Sequence, residues 1–281
     1  MQDALTNTRE FAQFESGDSV IAVLSEMQIM DFGVRAIHAD AAWKKTRGEG
    51  IKVGVLDTGI DPDHPDLHPN LHQLTGDKDE CGHGTHVCGI IGALDNGFGV
   101  VGVAPGCSLY AYTCIPGSPE TVANALRQAT ADGCDVINMS LGGYEDAPCL
   151  YAAVQEAYAA GVVLVAAAGN DFTRVSYPAL YPEVIAVSAV DENGNRAAFA
   201  PVVENHVALP GVNLVSTWPG NQYARLSGTS QACPLLTGTI ALMLGLFRPT
   251  RDVVHRTVQE QLQRIDERAD DFHFLPHLEL L

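Results

Sequence analysis

The sequence predicts one α/β domain in which helices cover both faces of a mostly parallel sheet. Short runs rich in Val, Ile and Ala alternate along the chain with longer segments of helical spacing. Alternation of this kind gives a parallel sheet that is covered on both faces. The chain shows no repeat, low-complexity tract or linker, and its 281 residues fit one such domain.

An N-terminal extension precedes the predicted domain. Residues 1–26 begin with a polar stretch and end in a strand-like run at residues 19–24. The domain itself is expected to occupy residues 27–281, because the regular alternation of helical and strand patterns starts just after this point.

The elements within the domain are predicted from apolar runs for strands and from helical spacing and capping for helices. In chain order they are a helix at 33–45, a strand at 51–56, a polar loop rich in Pro and His, an apolar helix from 83, a Gly-rich loop at 95–102, a strand at 108–113, a helix at 119–131, a strand at 134–139, a helix at 147–160, strands at 162–167 and 184–190, an irregular region at 196–223, a long apolar helix beginning near Ser230, and a terminal amphipathic helix with Val254, Val258, Leu262 and Ile265 on one face.

The overall charge and the cysteine count exclude some functions and favour one location. A formal net charge of −18 argues against nucleic acids and anionic membranes as partners, since both would repel the chain. No apolar run is expected to reach the roughly 18 to 20 residues that span a bilayer. Seven Cys without a C-x-x-C pair, and no visible signal peptide, favour reduced thiols and the cytoplasm; secretion with a leader absent from this sequence is the alternative. The oligomeric state is left open.

Three polar residues stand at the ends of predicted elements. Asp57 follows a strand, whereas His83 and Ser230 lie at helix starts. Taken singly, Asp57 would be interpreted as a turn former, His83 as a loop residue or metal ligand, and Ser230 as a helix cap. The carboxyl ends of parallel strands and the adjoining helix N-termini share one edge, so the three side chains are expected to converge as an acid, a base and a nucleophile.

Five segments resemble the subtilisin-like serine proteases, or subtilases, and stand in that family's order. They are VGVLDTGID around Asp57, GHGTHVCGIIGA around His83, INMSLGG at 137–143, AAAGN at 166–170 and LSGTSQACP around Ser230. The resemblance implies a three-layer subtilisin-like fold and a serine endopeptidase of broad specificity that acts on polypeptides. A catalytically inactive subtilase fold used for binding is the alternative.

The resemblance also implies a role for each matching residue. Ser230 would be the nucleophile, His83 the general base and then acid, and Asp57 the group that orients the imidazole. Asn170 would donate its side-chain amide to the oxyanion. The segment Ser140, Leu141 and Gly142 would pair with an extended substrate and line one wall of the primary pocket. The stretch at 171–178 is shorter than in the family, and Gln231 replaces the usual Met.

A structural calcium site is the cofactor that the resemblance implies. Subtilases commonly hold Ca²⁺ at a loop after the helix of the catalytic His, and oxygen atoms are the ligands that this cation requires. The expected ligands are Gln28, Asp66, Leu94, Asn96, Phe98 and Val100. A plain turn that only caps the preceding helix is the alternative reading of this loop.

Two further expectations concern the extension and the histidine-rich loop. Residues 1–26 would be a pro-segment or its remnant, trimmed near residues 24–28 after lying as a strand against the substrate cleft, or else a disordered tail. His64, His68 and His72 are spaced four apart, but the prolines between them exclude a helical metal face. We expect them to be solvated loop residues.

Overall fold

The structure is a computed structural model that describes residues 19–21, 27–201, 207–247, 252–254 and 256. The strands are β1 (Ser19–Ile21), β2 (Ile29–Met30), β3 (Lys52–Asp57), β4 (Leu71–Thr75), β5 (Val100–Val101), β6 (Ser108–Thr113), β7 (Val136–Met139), β8 (Val163–Ala167), β9 (Ile185–Val190), β10 (Val207–Pro210), β11 (Leu214–Trp218) and β12 (Gln222–Leu226). The helices are α1 (Phe32–Ala36), α2 (Ala39–Ala42), α3 (His83–Gly92), α4 (Pro119–Ala131), α5 (Pro148–Ala159) and α6 (Thr229–Phe247).

The predicted parallel sheet is confirmed. Its seven strands run in the order β10-β9-β8-β7-β3-β6-β4, and each neighbouring pair is parallel. The central strands β7 and β8 are buried along their whole length. Strands covered on both faces can be apolar at every position, which explains why the sequence shows continuous apolar runs rather than alternation.

Helices cover the two faces of this sheet and give the three layers that the sequence predicts. The core on one face includes side chains of α3 and α6, and the core on the other face includes side chains of α4 and α5. The long helix α6 packs against β7, β8, β9 and β10. Its burial brings the residue at its start, Ser230, to the carboxyl end of the sheet.

The apolar character of α6 corrects one expectation. The helix has 19 residues and contains an 18-residue window with a mean hydropathy of 1.5, so by length and composition alone it could cross a membrane. However, 78% of that apolar window is buried inside the protein. A core helix that is covered on every side is apolar all round for this reason.

The structure also corrects the predicted elements at several places. The helix expected at 33–45 is divided into α1 and α2, because His38 adopts a left-handed conformation with φ of 54°. Strand β4 forms within the loop described as polar, and the region described as irregular contains β10, β11 and β12. At the C-terminus, residues 252–254 are helical and Val254 is buried, whereas Val258, Leu262 and Ile265 lie outside the described residues.

A second sheet contains residues 19–21 of the extension and the hairpin that leads to Ser230. Strands β11 and β12 form an antiparallel hairpin, and β1 pairs antiparallel with the outer edge of β12. Ser19 lies opposite Arg225, and Ile21 lies opposite Tyr223. The remainder of the predicted strand, residues 22–24, lies outside the described residues.

His86 fastens α3 to this hairpin. Its Nε2 lies 3.2 Å from Leu214 O and 3.1 Å from Ala224 O, and both partners are acceptors, so Nε2 carries the proton. In return, Ser216 Oγ donates to His86 O at 2.8 Å. Burial, assisted by the charge of His83, lowers the pKa of His86 to about 3. The ring is therefore neutral in the folded protein at neutral pH.

We predict that His86 makes the protein acid-labile. The pKa of this ring is about 3 in the folded state and 6.5 in its ordinary state, so only the unfolded chain takes up the proton as the pH falls through 6.5. The stability is fully present above the ordinary pKa and is lost between these two values. Between about pH 7 and pH 5, the parent should lose about 2 kcal/mol more than His86→Gln.

Urea unfolding of both proteins in a Ser230→Ala background, which prevents self-digestion, measures this difference. His72→Gln is the control, because that imidazole lies at the surface. Equal losses in the parent and in His86→Gln would contradict the prediction.

Candidate active site

The predicted site residues meet at the carboxyl edge of the parallel sheet. Asp57 is the last residue of β3, His83 is the first residue of α3, and Ser230 lies in the first turn of α6. Ser140 directly follows β7, and Asn170 follows β8 by three residues. This edge is where open α/β sheets place their reactive groups.

A short buried hydrogen bond joins Asp57 and His83. Asp57 Oδ1 accepts from His83 Nδ1 at 2.7 Å and from the backbone N–H of Thr58, also at 2.7 Å. An ionised carboxylate only accepts hydrogen bonds, so Nδ1 carries the proton and Nε2 of the neutral ring is left as a base. The pair can therefore receive a proton at Nε2 and stabilise the resulting cation.

The environment of His83 favours its charged form. Burial alone would lower the pKa of the ring, but the charge of Asp57, the hydrogen bond to Asp57 and the charge of Asp79 together raise that pKa above its ordinary value. A base with a raised pKa binds the transferred proton more firmly during the reaction.

The close approach of α3 to the turn after β3 depends on Gly84. A Cβ atom at this position would lie 2.1 Å from the carbonyl oxygen of Gly59 and 3.2 Å from Cβ of Asp57. Any larger residue would push the start of α3 away from β3, and so would separate His83 from Asp57.

Ser230 is held by its backbone. Pro234 has no N–H, so it cannot donate to Ser230 O, its expected partner four residues earlier in α6. Ser140 Oγ donates to that carbonyl instead, at 2.8 Å. The Ser230 hydroxyl donates to Ser140 O at 3.3 Å.

Asn170 and Ser230 present two free donors to one point. Asn170 Oδ1 accepts from Thr229 N at 2.9 Å and from Thr229 Oγ1 at 3.0 Å, which fixes the amide with Nδ2 on the opposite side. A Cβ atom on Gly228 would lie 3.2 Å from Asn170 Nδ2 and 3.6 Å from Ser230 N. Among the described residues, neither donor has a hydrogen-bond partner, so both can bind an oxyanion.

The predicted substrate wall lies beside Ser230. Within the described part of the chain, the backbone groups of Leu141 and Gly142 have no backbone hydrogen-bond partner, so they can pair with an extended peptide. Gly143 pairs with Tyr177, which brings the segment after Asn170 against this wall. A Cβ atom on Gly142 would lie 2.3 Å from Ser176 Oγ, and Ser176 is buried.

Comparison with known proteins agrees with this geometry. The profile of the subtilase family matches residues 48–265. The chain belongs to the subtilase family. It is 44% identical to Subtilisin DY of Bacillus licheniformis over 236 residues, which cover 78% of this chain and 86% of that protein. An Intracellular serine protease of Paenibacillus polymyxa is 38% identical over 267 residues, which cover 85% of this chain and 82% of that protein. Subtilisin Savinase of Lederbergia lenta is 42% identical over 228 residues, which cover 77% of this chain and 84% of that protein.

This subtilase is a serine endopeptidase, and its substrates are polypeptides. Nothing in the family assignment or in the geometry favours the inactive alternative.

Four of the predicted calcium ligands of this subtilase lie close together: Gln28, Leu94, Asn96 and Val100. Gln28 Nε2 is 2.6 Å from Leu94 O, 3.4 Å from Asn96 Oδ1 and 3.4 Å from Val100 O. Three oxygens from the loop therefore converge on the end of the Gln28 side chain. The O and N atoms of an amide are assigned from their partners, and exchanging them would present Oε1 to a cation at this place.

Asp66 supports the same site by its charge. Its carboxylate is completely buried, and it accepts from Asn96 Nδ2, from Val100 N and from the hydroxyl of Tyr223, each at 3.0 Å. No described Lys or Arg pairs with it. A buried carboxylate without a cationic partner is a group that Ca²⁺ would neutralise, so these residues fit the cation.

The loop histidines differ from their prediction in one case. His68 and His72 are exposed, as expected, but His64 is completely buried. Its Nδ1 accepts from Asp66 N at 3.2 Å, and its Nε2 lies 3.0 Å from Gln222 O. Burial lowers the pKa of His64. The ring is therefore a structural link between the Asp66 loop and β12.

The sequence reasoning missed two buried side chains of the site. Ser176 fills the space between Gly142 and Gly169, and nothing in the sequence marks it out from other loop serines. Asp79 lies four residues before His83 and accepts hydrogen bonds around the start of α3. Its place before a helix could have suggested a capping role.

We predict an acid limb in kcat/KM that reports the protonation of His83. Activity is lost as the pH falls through the folded pKa, because a protonated ring cannot accept the serine proton. Since that pKa is raised, the midpoint should lie above 6.5.

Asp57→Asn should lower kcat by roughly 10⁴, because the imidazole is then no longer held in the tautomer that leaves Nε2 free to accept a proton.

Initial rates on a peptide substrate across the pH range measure the limb. Asp135→Asn is a control, because that carboxylate accepts from Lys52 N at the opposite end of β3. A midpoint at or below 6.5 would show that the Asp57 pair does not set the limb.

Proposed function

We propose that Ser230, His83 and Asp57 hydrolyse peptide bonds through an acyl-enzyme. Ser230 Oγ attacks the scissile carbonyl carbon while its proton passes to His83 Nε2. The tetrahedral intermediate then expels the amine, which takes this proton from Nε2. Water then attacks the resulting ester while His83 Nε2 takes its proton. His83 passes this proton to Ser230 Oγ, which releases the acid and restores Ser230. The 2.7 Å bond between Asp57 and His83 is the observation that supports this proposal most directly.

The oxyanion would be stabilised by Asn170 Nδ2 and by the Ser230 backbone N–H. Both donors are free among the described residues, and both lie within 4 Å of the position that a Cβ atom on Gly228 would occupy. Donors that are fixed before the reaction need no reorganisation as the charge develops. Removal of one such donor costs roughly 10² to 10³ in kcat.

Specificity is proposed to be broad. The wall formed by Leu141 and Gly142 offers backbone groups, which recognise an extended chain without reading its side chains. The net charge of −18 also disfavours nucleic acids and anionic membranes as partners.

We predict that Ser230→Ala removes nearly all turnover, because no other atom can form the acyl-enzyme. Only the small rate that oxyanion binding supplies should remain. Ser227→Ala is a matched control. Ser227 lies three residues before Ser230, and its hydroxyl accepts from Asn213 N. Hydrolysis of a fluorogenic peptide measures both variants, and labelling by a fluorophosphonate identifies the nucleophile. Wild-type activity in Ser230→Ala would exclude the mechanism.

Calcium is the cofactor that we propose for this enzyme, in a structural role. Side-chain oxygens of Gln28, Asp66 and Asn96 and the backbone carbonyls of Leu94, Phe98 and Val100 would hold it. The convergence of loop oxygens on Gln28 and the unpaired charge of Asp66 support this ligand set. The cation would join the segment before β2 to the loop after α3.

We predict that calcium stabilises the parent but not Asp66→Ala. A ligand that binds only the folded state adds RT ln(1 + [L]/Kd), or roughly 2.7 kcal/mol at a hundredfold excess over Kd. Thermal unfolding of Ser230→Ala protein with calcium and with EDTA measures the effect. A melting temperature that is indifferent to calcium removes the site, and a response that survives in Asp66→Ala places it elsewhere.

The N-terminal extension is proposed to restrain the active site. β1 pairs antiparallel with β12, the strand that leads to Ser230, so the described part of the extension lies beside the chain that carries the proposed nucleophile. Self-cleavage of the extension would release this restraint.

We predict that the active enzyme shortens its own N-terminus and that Ser230→Ala does not. The first cut should fall within residues 24–28, between β1 and β2. Intact-mass measurement over time locates the cut, and a trace of active enzyme added to Ser230→Ala protein separates cleavage within one chain from cleavage between chains. Unchanged masses in both proteins would mean that the extension is not a pro-segment.

The enzyme is proposed to work in the cytoplasm. All seven cysteines are free, and five of them are buried. Free buried thiols suit a reducing compartment. One of its relatives is named an intracellular protease.

A further inference from the structure

We propose that Asp79 is a positioning residue of the catalytic pair, and that its buried carboxylate holds the start of α3 against the turn after β3. The proposal rests on the function proposed for His83 and Asp57. Asp79 touches no substrate atom in this scheme; it acts through the placement of His83.

One oxygen of Asp79 binds both sides of the junction. Oδ1 accepts from Thr58 Oγ1 at 2.9 Å, from Cys81 N at 3.0 Å and from Gly82 N at 2.7 Å. Thr58 directly follows the catalytic Asp57, and Gly82 directly precedes the catalytic His83. A single oxygen therefore fixes the neighbours of both catalytic residues.

The other oxygen binds the first turn of α3. Oδ2 accepts from Thr85 N at 2.8 Å and from Thr85 Oγ1 at 2.7 Å. The network closes through Thr58, because its Oγ1 also accepts from Gly84 N at 2.9 Å. The turn after β3 and the N-terminus of α3 are thus joined twice, on either side of His83.

The network requires a charged carboxylate. Five donors surround Asp79, which is only 4% exposed, and no described Lys or Arg pairs with it. The amide of an asparagine at position 79 would point its own N–H group towards some of these donors, and two donors cannot form a hydrogen bond with each other. The negative charge also suits a helix N-terminus.

Asp79 also adds to the field at His83. The titratable groups around this ring are Asp57 on β3, Asp79 and Cys81 in the preceding loop, and His86 on α3 itself. Of the two acids, Asp57 makes the direct bond and Asp79 acts at longer range. A change at Asp79 should therefore alter the pH profile, which a cap with only a structural role would leave in place.

Asp31 offers a matched control for a structural cap. It is also a buried carboxylate at a helix N-terminus, where Oδ1 accepts from Gly33 N at 2.8 Å and Oδ2 accepts from Val215 N at 3.0 Å. It makes no bond to the catalytic residues. Asp31→Asn should lower the melting temperature without moving the acid limb.

The experiment compares kcat, KM and the pH profile of Asp79→Asn, Asp31→Asn and the parent, with active sites counted by fluorophosphonate titration. Asp79→Asn should lower kcat at least threefold with KM changed less than twofold, and should move the acid limb of kcat/KM to lower pH by several tenths of a unit. If Asp79→Asn only loses thermal stability, as Asp31→Asn does, the proposal is overturned.

Thr58 gives a second test if Asp79→Asn does not fold. Thr58→Val removes the hydroxyl between Asp79 and Gly84, whereas Thr58→Ser keeps it. Activity that falls in Thr58→Val and is restored in Thr58→Ser supports the positioning role, and equal activity in the two overturns it. Failure of the catalytic assignment itself would appear separately, as activity in Ser230→Ala.

Discussion

The hydrogen bond between Asp57 and His83 is the interaction on which the rest of the structure depends. The bond is buried, and an unpaired charge in the protein interior is costly in free energy, so the surrounding protein must hold both partners in place. The parallel sheet brings the end of β3 to the edge where α3 begins, and Gly84 allows the two to approach within contact distance. Burial of α6 then delivers Ser230 to the same edge.

The small second sheet connects features that look separate along the chain. Tyr223 on β12 lies opposite Ile21 of the extension, and its hydroxyl donates to Asp66 at 3.0 Å. His64 joins the same strand to the Asp66 loop, and His86 joins it to α3. The hairpin therefore contacts the described part of the extension, the proposed cation loop and the helix that begins at His83.

Much of the fold, and the contact between Asp57 and His83, could be predicted because the signals are local. Apolar runs mark strands that are buried on both faces, and Asp57, His83 and Ser230 each lie within two residues of a glycine at the end of an element. The missed features depend on distant partners: β10, β11 and β12 are short strands that exist through pairing, and His64 is buried because Gln222 O, far along the chain, accepts from it. The break at His38 is a single backbone angle that helical spacing cannot reveal.

Pro234 has a consequence for what this chain can tolerate at Ser140. Because the proline cannot donate to Ser230 O, the peptide group of the proposed nucleophile is hydrogen-bonded to Ser140, on the segment proposed to receive the substrate. The two segments therefore share one hydrogen bond, and loss of the Ser140 hydroxyl would remove the bond that replaces the one missing from α6.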